Sequence, residues 1–391
     1  MPAAHDPDAR LLLETLVGFD TVSAKPNLAL ITFIEDYLAH YGVESTLIKD
    51  GTGHKADLLA TIGPSEAGGI LLSGHTDVVP VENQDWSTDP FTIVERDGRL
   101  YGRGTCDMKG FIAVVLAAVP ALVAAELRRP VHLGFTYDEE IGCFGGEALA
   151  RHMEGLMVRP ARCVVGEPTS MAVVNGHKGK LSVDCHVHGA EGHSAYIHKG
   201  VNAVEIGAEI ISRLRAMQRR VQAEGPFDTR FDPPYTTIHT GVMTGGIARN
   251  IIPKDCTFEF EVRNLPGRDA GDFLKELETF ISDELLPEMR AVAPASGVSL
   301  DIHSHIPALD PDDDSEFVRL ALQLTGANAP GAISFATEAG LYQGIGIPTI
   351  VCGPGDIAQA HRPDEFVALD QLALCETFLR DLIAANDRLN P

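Results

Sequence analysis

The sequence predicts an α/β protein: a mixed, mostly parallel sheet with helices on both faces, interrupted by an inserted α+β unit. Three observations carry this expectation. Up to about residue 176, helical segments alternate with short β-branched runs, the signature of a helix-covered sheet. From Lys180 the strands switch to strict apolar–polar alternation and flank two amphipathic helices; after Ala308 the first pattern returns. The chain of 391 residues also exceeds the roughly 250–300 at which a single core stops growing, so two domains are expected.

In chain order, apolar residues at helical spacing predict helices near Arg10–Leu16 and Leu28–Tyr41, and short apolar runs predict strands near Thr46, Leu58, Ile70, Val131 and Val164. The longest apolar stretch, Phe111 to Ala125, is broken by Pro120 and falls short of the roughly 20 residues that cross a bilayer, so it reads as a buried helix. Leu181–His188 alternates as a half-buried strand, and a helix follows over Val201–Gln222. Two more strands are expected at Tyr235–Met243 and Thr257–Val262, a helix at Ala270–Met289 and a last strand at Val298–His303. That order, βαββαβ, is that of a ferredoxin-like sandwich. It is read as a lid spanning 179–307, inserted in a large domain made of 1–178 and 308–391. The large domain resumes with a helix at Glu316–Leu324, a strand at Thr349–Cys352 and a helix at Leu369–Ala384.

A formal charge of −24 excludes the basic footprint that nucleic acid or an anionic membrane surface needs. Seven scattered cysteines without a C-x-x-C pair read as reduced thiols, which with a start lacking signal-peptide character points to the cytoplasm.

The chemistry is expected at strand ends. His75 and Asp77 follow the Ile70 run, Glu139-Glu140 follows Val131–Tyr137, Glu167 follows Val164-Val165, and His361 lies after Pro348–Cys352; Asp107 sits in a glycine-bearing loop. In open α/β sheets ligands bind beyond the carboxyl ends of strands, so these tips are candidates for one site. Neutral imidazole and carboxylate suit zinc, cobalt or manganese. Adjacent carboxylates such as Glu139-Glu140 repel unless a cation or a proton neutralises one, so one can ligate while the other acts as a general base. Singly, each residue also has a plain structural reading: Asp107 as a turn residue, His193 as a satisfied turn histidine, Glu338 as a helix cap.

The ordered motifs Gly74-His75-Thr76-Asp77, Gly104-Thr105-Cys106-Asp107-Met108-Lys109-Gly110, Asp138-Glu139-Glu140, Gly166-Glu167-Pro168-Thr169, Gly192-His193-Ser194-Ala195 and Arg249-Asn250-Ile251-Ile252-Pro253 resemble the two-metal aminoacylase and carboxypeptidase superfamily over essentially the whole chain. The resemblance implies two divalent ions, zinc or cobalt: His75 and Glu167 on one, Glu140 and His361 on the other, and Asp107 bridging both. It implies Glu139 as general base, Asp77 as the support of His75, a cis peptide after Asp107, and a metal-bridged hydroxide as nucleophile. His193 and Asn250 would stabilise the oxyanion, with His193 supplied by the partner of a homodimer joined through its lids. Arg263, whose planar fork suits a carboxylate, would hold the substrate α-carboxylate.

Asn175-Gly176-His177-Lys178-Gly179 and Ala336-Thr337-Glu338-Ala339-Gly340 are similar to the acetylornithine deacetylase branch of that superfamily. This implies a small N-acyl amino acid as substrate, Lys178 among the substrate-binding residues, Glu338 pairing with a side-chain ammonium, and a place in arginine biosynthesis. Other N-acyl amino acids, such as succinyl-diaminopimelate or acetylcitrulline, and dipeptides stay open, because this scaffold serves many acyl groups and amines.

Overall fold

The computed structural model describes residues 8–64, 68–310 and 312–386. Packing divides the chain into two units: Met1–Gly176 with Leu309–Ala332 and Thr337–Pro391, and His177–Ala308 with Ile333–Ala336.

The first unit is built on an eight-stranded sheet in the order Ser45–Lys49, Ala56–Ile62, Val131–Thr136, Ile70–His75, Arg162–Pro168, Thr349–Gly353, Val174–His177, Gly331–Ile333. The four strands from Val131–Thr136 to Thr349–Gly353 pair in parallel, whereas the hairpin Ser45–Lys49/Ala56–Ile62 joins antiparallel. All four parallel strands are buried along their whole length, which is why they read as continuous apolar runs rather than alternating ones. The helices Ala9–Val17, Leu28–His40, Lys109–Ala124, Glu316–Thr325 and Leu369–Asn386 share one apolar core with the sheet. Lys109–Ala124 carries Pro120 inside it and is largely buried, as its uniform apolarity predicts. Among the described residues no helix is long and apolar enough to cross a membrane.

Sequence patterning gives no sign of the helix Phe144–Glu154, because Gly145 and Gly146 weaken its signal. Both are required by close packing: a Cβ on Gly145 would lie 2.4 Å from Asp57 Oδ1, and one on Gly146 2.6 Å from Glu338 Oε1. A small sheet of Arg99–Tyr101 between Val94–Arg96 and Phe366–Ala368 was likewise not foreseen, its strands being three residues each.

The second unit is a four-stranded antiparallel sheet in the order Thr237–Gly245, Asp255–Arg263, Lys180–His188, Gly297–Ile306. With strands numbered by sequence this is 2-3-1-4, the ferredoxin-like arrangement. The helices Ala203–Glu224 and Gly271–Phe280 cover one face around Leu181, Val183, Ile210, Leu214, Phe258 and Leu277. The second helical segment continues through a wide turn at Ile281–Leu285 into Leu286–Val292. Pro287 explains the break in regularity, since it lacks the N–H that a regular turn would donate. Ile333–Ala336 joins this unit from far along the chain, where Ser334 Oγ donates to Asp232 O at 2.6 Å. All seven cysteines are buried free thiols.

Candidate metal centre

Because four central strands run parallel, their carboxyl ends lie on one edge of the sheet. His75 is the last residue of its strand, Glu139-Glu140 opens the short helix after Val131–Thr136, Glu167 is the penultimate residue of Arg162–Pro168, and His361 follows Thr349–Gly353. The structure brings these together with Asp107. His75 Nε2 lies 3.0 Å from Asp107 Oδ1 and 3.6 Å from Glu167 Oε1, while His361 Nε2 lies 3.3 Å from Asp107 Oδ2 and 3.0 Å from Glu140 Oε2. The Asp107 carboxylate therefore presents one oxygen to each imidazole. Its peptide bond to Met108 is cis. The His75 side chain is 1% exposed and that of His361 55%, so the cluster opens to solvent on the His361 side.

Two features fit these residues to cations. His75 Nδ1 lies 2.9 Å from the Asp77 carbonyl, which can only accept, so Nδ1 carries a proton and Nε2 is turned toward two carboxylates, which hold the imidazole pKa well above its ordinary value in the absence of metal. A bare Nε2 lone pair there is repelled unless a proton or cation lies between. Glu140 Oε1 is buried with no hydrogen-bond partner in the structure, an acceptor whose desolvation is left uncompensated. His75, Asp107 and Glu140 offer ligand atoms within 4.8 Å of one another, and so do His75, Glu139 and Glu167. Glu139 is thus also placed where a ligand could be.

Asp77 reaches more of the centre than the His75 imidazole. Its carboxylate lies 3.5 Å from His75 Nδ1, farther than its own carbonyl, and accepts from Ser23 Oγ at 2.6 Å, Glu139 N at 3.0 Å and Glu140 N at 3.3 Å. Burial would raise its pKa, but the hydrogen bonds from His75, Ser23 and the Glu139 amide outweigh that and keep it ionised. Asp138 enters this elbow at φ 56° and takes Lys55 Nζ at 2.6 Å. Ser23 and Lys55 gave no signal in sequence, because only the fold brings them beside residues 54 and 83 positions away.

Burial pushes the Glu139 carboxyl up to about 8 and that of Glu140 up to about 7, with Glu140 and Asp107 respectively adding like charge. Hydrogen bonds to Asp107 and Glu140 raise His361 to about 10. Without metal, the folded site keeps protons that the unfolded chain releases above about 4.5 for the carboxyls and 6.5 for the imidazole. Metal-free stability is therefore expected to fall as pH rises from about 5 to 8. A cation takes the place of these protons, so the Tm gain on adding zinc should be larger at pH 8 than at pH 6, as differential scanning calorimetry would show. An equal gain at both pH values would contradict this account.

Of the remaining expected positions, four belong to the second unit and one, Glu338, to the first. In the second unit His193 pairs with Ile251, its Nδ1 accepts from Ala195 N at 3.1 Å, and Ser194 N donates to Asn250 O at 3.2 Å, so His193 and Asn250 are neighbours. Arg263 ends its strand with Nε 2.8 Å from Glu261 Oε1. Lys178 is 1% exposed, and its Nζ donates to Pro233 O and Tyr235 O at 2.7 and 2.8 Å. In the first unit Glu338 is 1% exposed, meets Tyr342 OH at 3.2 Å and Ser73 Oγ at 3.3 Å, and makes no side-chain cap to the helix it precedes.

A family model described as peptidase family M20/M25/M40 matches residues 71–385. The chain is 37% identical over 383 residues to an acetylornithine deacetylase of Myxococcus xanthus, covering 97% of both chains. It is 38% identical over 365 residues to one of Yersinia pseudotuberculosis, covering 92% of this chain and 91% of that one. Among solved structures, an M20 family metallo-carboxypeptidase from Sulfolobus solfataricus superposes with a TM-score of 0.78 at 18% identity, covering 98% of this chain and all of the other. A dinuclear metal binding M20 peptidase of Bacillus subtilis superposes at 0.65 and 15% identity, covering 97% and 98%.

Proposed function

From the premise that the chain belongs to peptidase family M20/M25/M40, metal-dependent hydrolases, we propose that it cleaves the amide of N2-acetyl-L-ornithine to L-ornithine and acetate, a step of arginine biosynthesis in the cytoplasm. The observation that carries the substrate is the 37% identity to an acetylornithine deacetylase over 97% of the chain. The division of one Asp107 carboxylate between two imidazoles supports a pair of ions.

His75 and Glu167 would hold one ion, Glu140 and His361 the other, with Asp107 shared; zinc or cobalt suits this donor set. When bound, the ions supply Lewis acidity that polarises the scissile carbonyl and lowers the pKa of water. Glu139 accepts a proton from the attacking water and passes it to the amide nitrogen, then carries the second proton from the tetrahedral hydroxyl to the departing amine, so the products are a carboxylate and an ammonium. Asp77 keeps Glu139 and Glu140 in place through their backbone amides. His193, from the partner subunit of a lid-joined homodimer, and Asn250 donate to the oxyanion, and Arg263 forks the α-carboxylate. Lys178 is assigned to substrate binding, and Glu338 to pairing with the substrate's side-chain ammonium.

The test is ornithine release from N2-acetyl-L-ornithine by zinc- or cobalt-loaded protein, beside N-succinyl-diaminopimelate, acetylcitrulline and a dipeptide, each with a chelated control. Chelator-sensitive turnover highest on acetylornithine is expected. A far better rate on another of the four would replace the substrate and leave the hydrolase reading intact.

A further inference from the structure

Behind the cluster lies a second pair of buried charges that the chemistry above does not use. Arg103 and Glu365 are each 1% exposed and meet at 2.6 Å between Nη1 and Oε2. The other oxygen of Glu365 accepts the backbone amides of Cys106 at 2.9 Å and Asp107 at 3.1 Å. Arg103 Nη1 also reaches Arg362 O at 3.3 Å, and Nη2 donates to Gln84 Oε1 at 2.6 Å. Gln84 in turn donates from Nε2 to His361 O at 3.1 Å, and the Trp86 ring lies 5.0 Å from the guanidinium.

We propose that the Arg103–Glu365 pair, with Gln84, is a positioning clamp that fixes the Asp107 loop against the His361 loop and thereby assembles the ion site these two residues share with Glu140. The proposal rests on the reading of Asp107 and His361 as metal ligands. One end of the clamp grips the Asp107 amide; the other grips the carbonyls of His361 and Arg362. Cys106 Sγ adds a weaker tie between the same two loops, donating to Asp356 O at 3.3 Å, but does not reach the backbone of His361 or Arg362. His75 and Glu167 stand on paired strands and need no such tie. A single buried ion pair without this duty would be weak evidence of stabilisation, since desolvating two charges offsets their attraction. Here every polar contact of Glu365 points at a ligand-bearing loop. Groups that orient metal ligands typically change metal affinity by about 10- to 100-fold when lost.

The measurement is cobalt(II) bound per chain by equilibrium dialysis of chelator-stripped full-length protein, for wild type, Glu365→Gln and Gln84→Leu, with a melting curve of each stripped protein. Both variants are expected to bind the ion at Glu140 and His361 about 10- to 100-fold more weakly, and the ion at His75 and Glu167 less weakened than that. Turnover should recover as cobalt is raised, with KM unchanged. Two ions bound as in wild type by a folded Glu365→Gln, or equal weakening of both, would overturn the clamp. Should Glu365→Gln fail to fold, Gln84→Leu decides alone, and two-ion binding at wild-type affinity overturns the proposal. Wild type that binds no pair of ions would remove the metal reading itself, and the clamp with it.

Discussion

Glu139→Gln is expected to lower kcat by about 10²- to 10⁴-fold, the range that a positioned general base contributes, while metal content stays at the wild-type level. The substitution keeps the volume and removes the exchangeable proton. Burial lifts this carboxyl to about 8 in the metal-free site, and cations bound beside it would draw it back toward the ionised form that a base needs. Its position is fixed twice over: its amide donates to Asp77 Oδ1 at 3.0 Å and Cys143 Sγ donates to its Oε1 at 3.4 Å. Geometry also offers a rival role, because Glu139 lies with His75 and Glu167 in a group that could hold a cation. Metal analysis of the variant separates the two. If cobalt content falls in step with turnover, Glu139 is a ligand and the base must be sought elsewhere.

The ligand candidates were legible because the fold announces them. Buried parallel strands leave continuous apolar runs, and the first polar residues after such runs sit at the edge where sites form. His75, Glu139, Glu140 and Glu167 all follow that rule, and the structure clusters them with Asp107 and His361. The residues that hold those side chains were hidden for an equally physical reason. Arg103 and Glu365 meet across 262 positions, and a lone charged residue in a loop gives no hint that it will be buried against a partner. The contacts of Asp77 to the Glu139 and Glu140 amides were hidden as well, since they depend on how the elbow turns at Asp138. Glu338 and Lys178 both sit in glycine-bearing segments that suggest access; in the structure Glu338 is buried against Ser73 and Tyr342, and Lys178 Nζ donates to two carbonyls.

The architecture shows the same division. Period-two alternation located every strand of the four-stranded sheet within a few residues; in Lys180–His188 and Asp255–Arg263 it reflects one covered and one open face. The helix Phe144–Glu154 escaped because two glycines demanded by packing against Asp57 and Glu338 obscure its pattern. Local propensity there is overruled by what the neighbouring side chains leave room for.

Asp107→Asn should be the most damaging of the isosteric ligand changes. Each other candidate carboxylate approaches a single imidazole, Glu167 that of His75 and Glu140 that of His361, whereas Asp107 faces both. An asparagine of the same shape retains one carbonyl oxygen, which can serve one side only, and its NH2 group cannot ligate. Cobalt content is therefore expected to drop from two ions to one or none, and turnover by more than about 100-fold, beyond the loss that an outer partner of a ligand produces. Glu167→Gln and His361→Ala provide the comparison, since each should cost one ion and leave the other. Their stripped proteins also control for folding, because each substitution abolishes one ionisable group of the same cluster. An Asp107→Asn protein that still binds two ions with wild-type affinity would show that the carboxylate is not shared, and that the two imidazoles belong to sites linked by some other group.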